Sequence, residues 1–263
     1  MTFKDKVVWI TGASSGIGKA LAIELSNHKC QLILSARREK VLNEVKQQCP
    51  SPENIRILPF DLADYLNMSN VCKQALQYFG KIDLLINNGG ISQRSLIIET
   101  DISVDKKLME VDYLGTVALS KAILPHFIEN KSGHFVTVTS LMGKFSSPYR
   151  SAYCGAKHAL HGFFDALRME HQIDNIKVTM ICPGFVNTNI ARNALTGDGS
   201  LQNQQDNATE KGLSTYVFAK RMIKAIQKEK FEAYIGQDET KGIYLKRFFP
   251  KLLHKFVMKS QVK

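Results

Sequence analysis

Short runs in which every successive residue is apolar, Val7-Val8-Trp9-Ile10 and Leu84-Leu85-Ile86 among them, recur along this chain. A strand with one wet face alternates apolar and polar residues, so a strand apolar at consecutive positions has to be covered on both faces. Strands of this kind belong to parallel sheets flanked by helices. Strand-like segments are read at Lys6–Thr11, Gln31–Ala36, Asn54–Phe60, Lys81–Asn87, Gly133–Ser140, Lys177–Cys182 and Glu232–Gly236. Each interval between them has room for a crossover helix. The pattern predicts an α/β fold, a doubly wound parallel sheet of about seven strands with helices on both faces and right-handed connections. At 263 residues and 44% apolar content the chain is long enough for one such domain, read as 1–240, followed by a different segment at 241–263.

Charge supports that division. The formal net charge is +11, yet Lys241 to Lys263 holds seven Lys or Arg and no Asp or Glu, leaving +4 for the rest. The basicity belongs to a tail, which argues against a nucleic-acid-binding body. The five cysteines, Cys30, Cys49, Cys72, Cys154 and Cys182, form no Cys-x-x-Cys pair and read as buried thiols in a reducing compartment. Residues 1–6 lack the features of a secretory leader, and no stretch is long enough to span a bilayer. These features point to a cytoplasmic location, with the tail as the one route to a membrane surface.

Two motifs carry chemistry. Thr11-Gly12-Ala13-Ser14-Ser15-Gly16-Ile17-Gly18 joins the first strand to the first helix. Glycines there permit a tight turn and close backbone approach, and a helix N-terminus offers free N–H groups to a pyrophosphate. Gly12, Ser14, Ser15, Gly16, Ile17 and Gly18 are therefore read as a dinucleotide cradle. The second strand ends in Ala36-Arg37-Arg38 and not in the acid that would hold the adenosine ribose hydroxyls of NAD. Arg37 and Arg38 suit a 2′-phosphate, which favours NADP(H).

The second motif is Tyr153 with Lys157 at i and i+4, on one face of a helix. A free tyrosine has a pKa of about 10, and a neighbouring ammonium lowers it toward usefulness as a proton donor. Ser140 closes the fifth strand just upstream, where its hydroxyl is placed to polarise a carbonyl.

Together these residues resemble the short-chain dehydrogenase/reductase family in its compact, Rossmann-type, single-domain branch, over about Lys4 to Gly236. Within that family, Gly143 to Tyr153 and Ala194 to Ser200 look closest to the member-seven branch. The resemblance implies that Asp61 and Leu62 contact the adenine ring. It assigns Asn87, Asn88 and Gly89 to the motif ending the fourth strand. It places Pro183, Gly184, Val186 and Thr188 at the nicotinamide carboxamide, and makes Ser140, Tyr153 and Lys157 the catalytic set. It implies hydride transfer between NADP(H) and a carbonyl or alcohol, with lipid-like substrates such as steroids or retinoids in range, and a homodimer or homotetramer packed through long helices. Two positions depart from the family pattern. Gly89 replaces the usual Ala, and Asp112 stands where the family has a catalytic Asn. Asp112 is expected to favour charged Lys157 and offset its effect on Tyr153, giving an altered pH profile or, in the alternative reading, a cofactor-binding regulator without turnover.

Three further features remain. The polar stretch 189–214 after the sixth strand is read as a substrate lid. His158 and His161 form an H-x-x-H pair without a third ligand at metal spacing, so no metal is expected. Leu245, Phe248, Phe249, Leu252, Leu253, Phe256 and Val257 recur at helical spacing, with Pro250 as a helix start. The segment 243–259 is expected either to pack on the domain or across a dimer, or to lie on a membrane surface.

Overall fold

In the computed structural model, which describes residues 1–259, seven strands form one parallel sheet: β1 Val7–Thr11, β2 Gln31–Ser35, β3 Ile55–Ile57, β4 Leu84–Asn87, β5 Gly133–Val138, β6 Ile176–Pro183 and β7 Glu232–Ile235. The sheet order is β3-β2-β1-β4-β5-β6-β7. Every adjacent pair is parallel, with Val8 level with Leu32 on one side and Leu84 on the other. The order reverses between β1 and β4, and the crevice outside the carboxyl ends at such a switch point is where ligands bind in open α/β sheets.

Among the described residues the helices run α1 Gly16–Leu25, α2 Glu39–Gln47, α3 Met68–Phe79, α4 Ile102–Leu108, α5 Gly115–Glu129, α6 Ser151–Glu170, α7 Asn207–Glu210, α8 Thr215–Gln227, α9 Gly242–Phe248 and α10 Pro250–Lys259. The consecutive apolar strand residues serve two cores. Val8 and Ile10 pack with Leu21, Leu25, Phe218 and Met222 of α1 and α8. Val7 and Trp9 pack on the other face with Val71, Leu119, Ile123 and Phe164 of α3, α5 and α6. The indole N–H of Trp9, fully buried, donates to Ser35 Oγ at 2.9 Å, so the large ring is buried with its one polar atom satisfied.

The stretch 189–214 is ordered, with parallel bridges from Leu195 to Gln93 and from Leu213 to Val186, and an antiparallel one from Leu195 to Leu201. The tail forms two helices broken at Phe249, with Pro250 opening α10. The last four residues of the 241–263 extension lie outside the described residues.

Candidate active site

The turn after β1 is built around glycines. Gly12 has φ +64°, and a Cβ on it would stand 2.7 Å from the Gly89 Cα, so a side chain would be strained twice over. A Cβ on Gly18 would meet the Gly12 carbonyl oxygen at 2.3 Å, which lets α1 start directly under the turn. Thr11 Oγ1 accepts the N–H groups of Asn88 and Gly89, both at 3.0 Å, and Asn88 Nδ2 donates to the Thr11 carbonyl, so the loop after β4 is laced to the turn after β1. Ser15 caps α1 in extended geometry without a side-chain bond to the first turn. The first N–H groups of α1 thus keep their donors for a ligand, as a pyrophosphate cradle requires.

A cavity of about 1340 Å³ extends from this turn. Gly12, Ser14, Ser15, Gly16, Ile17, Arg37, Arg38, Asp61, Leu62, Asn88, Gly89, Pro183, Gly184, Val186 and Thr188 all line it. Arg37 and Arg38 are exposed at the end of β2. Of the cofactor residues expected from the sequence, Gly18 and Asn87 are not on its wall. Gly18 packs behind the turn, and Asn87 is buried with Nδ2 donating to Ser120 Oγ at 3.0 Å, so both support the wall from behind. At Gly89 a methyl would meet only the tip of the Leu62 side chain, at 2.6 Å from Cδ1, so the structure gives no backbone reason for glycine in place of the usual alanine.

Ser140, Tyr153 and Lys157 line the same cavity. Ser140 follows β5 in extended conformation and accepts Met142 N–H at 3.1 Å, which holds its side chain inward. The Ser140 side chain faces the Tyr153 phenol and favours its ionised form. Lys157 Nζ lies 5.5 Å from the Tyr153 ring centroid, one turn along α6. Behind it, the fully buried Asp112 pairs through Oδ2 with Lys157 Nζ at 3.1 Å and accepts Ile91 N–H at 2.8 Å through Oδ1.

Asp112 sits in a π-helical turn, Met109–Leu114, joining α4 to α5. Such bulges often mark functional sites. Asp112 does not line the cavity, so it reaches the site only through Lys157 and the Ile91 backbone. The sequence places it among the catalytic residues; here its carboxylate meets Lys157 Nζ, which does line the cavity. Gly90 makes room for the pair: a Cβ there would lie 3.2 Å from both carboxylate oxygens and from Lys157 Nζ.

The electrostatics differ from the expectation for Tyr153. Burial raises its pKa above 10, and Asp112 adds to that, while Lys157 and the Ser140 hydroxyl pull it down without prevailing. Lys157 ends above its usual value: burial opposes the ammonium, but Asp112 and Tyr153 outweigh it. Burial pushes Asp112 up against the pull of Lys157 and the Ile91 N–H. The offset expected from Asp112 is therefore present, and burial is the larger contribution, which composition could not reveal.

The segment 189–214 is fastened by a cluster that no sequence pattern announces. Arg94 Nη2 and Arg150 Nη2 donate to Asp206 Oδ2 at 2.6 and 3.1 Å, all three side chains being buried. Gln93 Oε1 accepts Ala152 N–H at 2.9 Å, tying the loop after β4 to the start of α6. The clamp thereby joins the segment 189–214 to the start of the helix that carries Tyr153. A charged residue buried by tertiary contact leaves no signal in a polar segment; the only hint in the sequence is an arginine immediately before the Tyr-bearing helix.

His158 and His161 part company. His158 bonds the Cys154 carbonyl on the helix surface, while His161 is buried with Cys182 and Glu232, their ligand atoms within 4.8 Å of one another. Lys144 pairs with Glu232, and burial pushes the Cys182 thiol up to about 12, keeping it protonated. Burial disfavours the Glu232 carboxylate, but bonds from His161, Lys144 and Tyr234 outweigh it and bring it from 4.5 to about 2. A depressed folded pKa stabilises above the unfolded value and is lost as pH falls through the folded one. Melting temperature should therefore drop from pH 5 toward pH 2 by at least about 3 °C more in the parent than in Glu232→Gln. Parallel curves would exclude the assignment.

A Gly-laced turn at a switch point, with Ser140, Tyr153 and Lys157 on the same cavity wall, defines a dinucleotide-binding oxidoreductase architecture. The chain belongs to the short chain dehydrogenase family, which matches residues 6–198. It is 50% identical to human dehydrogenase/reductase SDR family member 7 over 200 residues, covering 74% of this chain but 59% of that protein's length. It is 40% identical to a dehydrogenase/reductase SDR family protein 7-like of Anopheles gambiae over 97% of this chain and 83% of the relative. A short chain dehydrogenase/reductase from Burkholderia phymatum, solved in complex with NAD, superposes with TM-score 0.84 at 22% identity, covering 96% of each chain, a likeness of fold.

Proposed function

We propose that this protein is an NADP(H)-dependent reductase of ketones or aldehydes, working in reverse as an alcohol dehydrogenase. The observation that carries this is the convergence of the Ser140, Tyr153 and Lys157 side chains on the cavity that begins at the dinucleotide turn. The dinucleotide, when bound, supplies a hydride to the carbonyl carbon or accepts it back from the alcohol. Ser140 donates a hydrogen bond to the carbonyl oxygen, and Tyr153 gives that oxygen its proton as negative charge develops. Lys157 steadies the phenolate left behind and is the residue that would hold the nicotinamide ribose. Acid–base help of this kind is worth roughly 10²–10⁴ in rate.

Beyond the catalytic group the cavity wall is mostly apolar, with Leu141, Met142, Phe145, Leu195, Leu245 and Leu253, which suits a sizeable apolar carbonyl compound. Arg37 and Arg38, with no acid at the end of β2, support NADP(H) over NAD(H). A charge-assisted bond contributes about 1.5–3 kcal/mol. Arg37→Glu/Arg38→Glu should therefore raise the KM for NADPH at least about tenfold while leaving that for NADH little changed. Equal effects on both cofactors would count against the assignment. A second reading, a regulator that binds the dinucleotide without turnover, draws on the buried Asp112–Lys157 pair. Monitoring NADPH oxidation against a panel of ketones and aldehydes, alongside direct NADPH binding, separates them: binding without turnover of any panel member would favour the regulator.

A further inference from the structure

The tail helices present two faces. Leu253 is buried against Leu141, Phe145 and Cys182, with Leu245 and Val257 partly buried beside it, so the tail roofs the substrate end of the cavity. The opposite face is open: Phe248 is 68% exposed, Phe249 62% and Met258 62%. Phe256 belongs to both, lining the cavity while 57% exposed.

A second exposed apolar group borders the same cavity. Ile97, Ile98 and Ile102 are 78–93% exposed. Their segment is bonded to the lid through Asp101 N–H and the Gly197 carbonyl, and the neighbouring Ser103 and Val104 line the cavity, as does Leu201 of the lid. Two exposed apolar groups of this size flanking one cavity are unusual on a solvated surface.

Charge selects the occupant. Between Lys241 and Lys259 there are six Lys or Arg and no acid. Such a face repels its own copy across a two-fold axis and is drawn to anionic lipid. Glu99 and Asp101 beside the isoleucines oppose this, but the tail cations outnumber them. A basic face carrying large aromatic residues is the composition of an interfacial helix. No described helix is long and apolar enough to cross a membrane, so the contact is one of surface docking.

We propose that the tail and the isoleucine segment dock together on an anionic lipid bilayer, with the cavity opening onto it, so that an apolar carbonyl substrate passes from bilayer to Tyr153 without crossing water. The substrate part rests on the reductase reading above, whereas the docking does not. The test is co-sedimentation with vesicles of phosphatidylcholine alone or mixed with phosphatidylserine, without dinucleotide or substrate, so its failure and that of the reductase reading are distinguishable. The parent should bind the mixed vesicles and lose binding at high salt. Phe248→Asp/Phe249→Asp and Ile97→Asp/Ile98→Asp should each weaken binding at least about tenfold. Ile173→Asp, an equally exposed apolar position away from the cavity wall, should not. Unchanged melting temperatures and NADPH affinity would show that the variants are folded. Absence of vesicle binding, or binding indifferent to both pairs, overturns the proposal. Loss in the tail pair alone overturns the orientation that sets the cavity on the bilayer. Conversion of a dimer to a monomer in analytical ultracentrifugation, without vesicle binding, assigns the face to a second copy instead.

Discussion

Tyr153→Phe is expected to lower kcat roughly 10²–10⁴-fold while leaving dinucleotide affinity essentially unchanged. The substitution removes one oxygen from a half-buried ring whose place in the fold comes from α6, so the cavity wall keeps its shape. The parent's pH dependence follows from the same group. Burial and Asp112 hold the Tyr153 pKa above 10 against Lys157 and Ser140. Reduction needs the protonated phenol and should hold its rate across neutral pH, declining only at alkaline pH. Oxidation needs the phenolate and should climb with pH over that alkaline range. Stopped-flow single turnovers in both directions would read these profiles without interference from product release. Residual turnover of the Phe variant near the parent rate would remove Tyr153 from the chemistry.

Lys157→Met should be the most damaging single change for stability. It leaves the Asp112 carboxylate fully buried without the ammonium that stands 3.1 Å away. Removing one partner of a buried ion pair costs about 3–5 kcal/mol, which corresponds to a fall in melting temperature of roughly 10 °C in a chain of this size. Lys157→Met/Asp112→Asn should regain most of that loss while remaining inactive, since the amide needs no counter-charge but the lysine is still gone. Equal melting temperatures for the single and double variants would show that the two residues are not coupled. Asp112→Asn alone isolates the carboxylate's electrostatic role. Asp112 raises the pKa of both Lys157 and Tyr153, so its neutral replacement should move the alkaline limb of the pH–rate profile to lower pH. An unmoved limb would mean that Asp112 acts through shape alone.

All seven strands are legible in the sequence, because a parallel sheet leaves its mark as consecutive apolar residues. One edge strand, β3, is shorter than the expected Asn54–Phe60: it spans Ile55–Ile57, with Arg56 exposed between two apolar residues. The turn after β1 and the Tyr153–Lys157 pair are also readable, since each is a local spacing whose chemistry follows from helix and strand geometry. Less is readable for Asp112. Its identity marks a departure, but its distance from the cavity wall and its burial depend on the π-helical turn and on the lack of a side chain at Gly90.

The tail shows the limit most clearly. Pro250 marks a helix start in the sequence as in the structure, but the apolar spacing over 245–257 does not reveal that Leu245, Leu253 and Val257 turn inward while Phe248 and Phe249 stay in solvent. Likewise, the polar composition of 189–214 does not reveal that Asp206 is buried between Arg94 and Arg150. Periodicity and local motifs determined the sheet, the glycine turn after β1 and the Tyr153–Lys157 pairing on one helix face, because each depends on residues a few positions apart. Burial, and with it the raised pKa of Tyr153, the pairing of Asp112 and the two faces of the tail, was decided only by tertiary packing, because desolvation depends on neighbours brought together from distant parts of the chain.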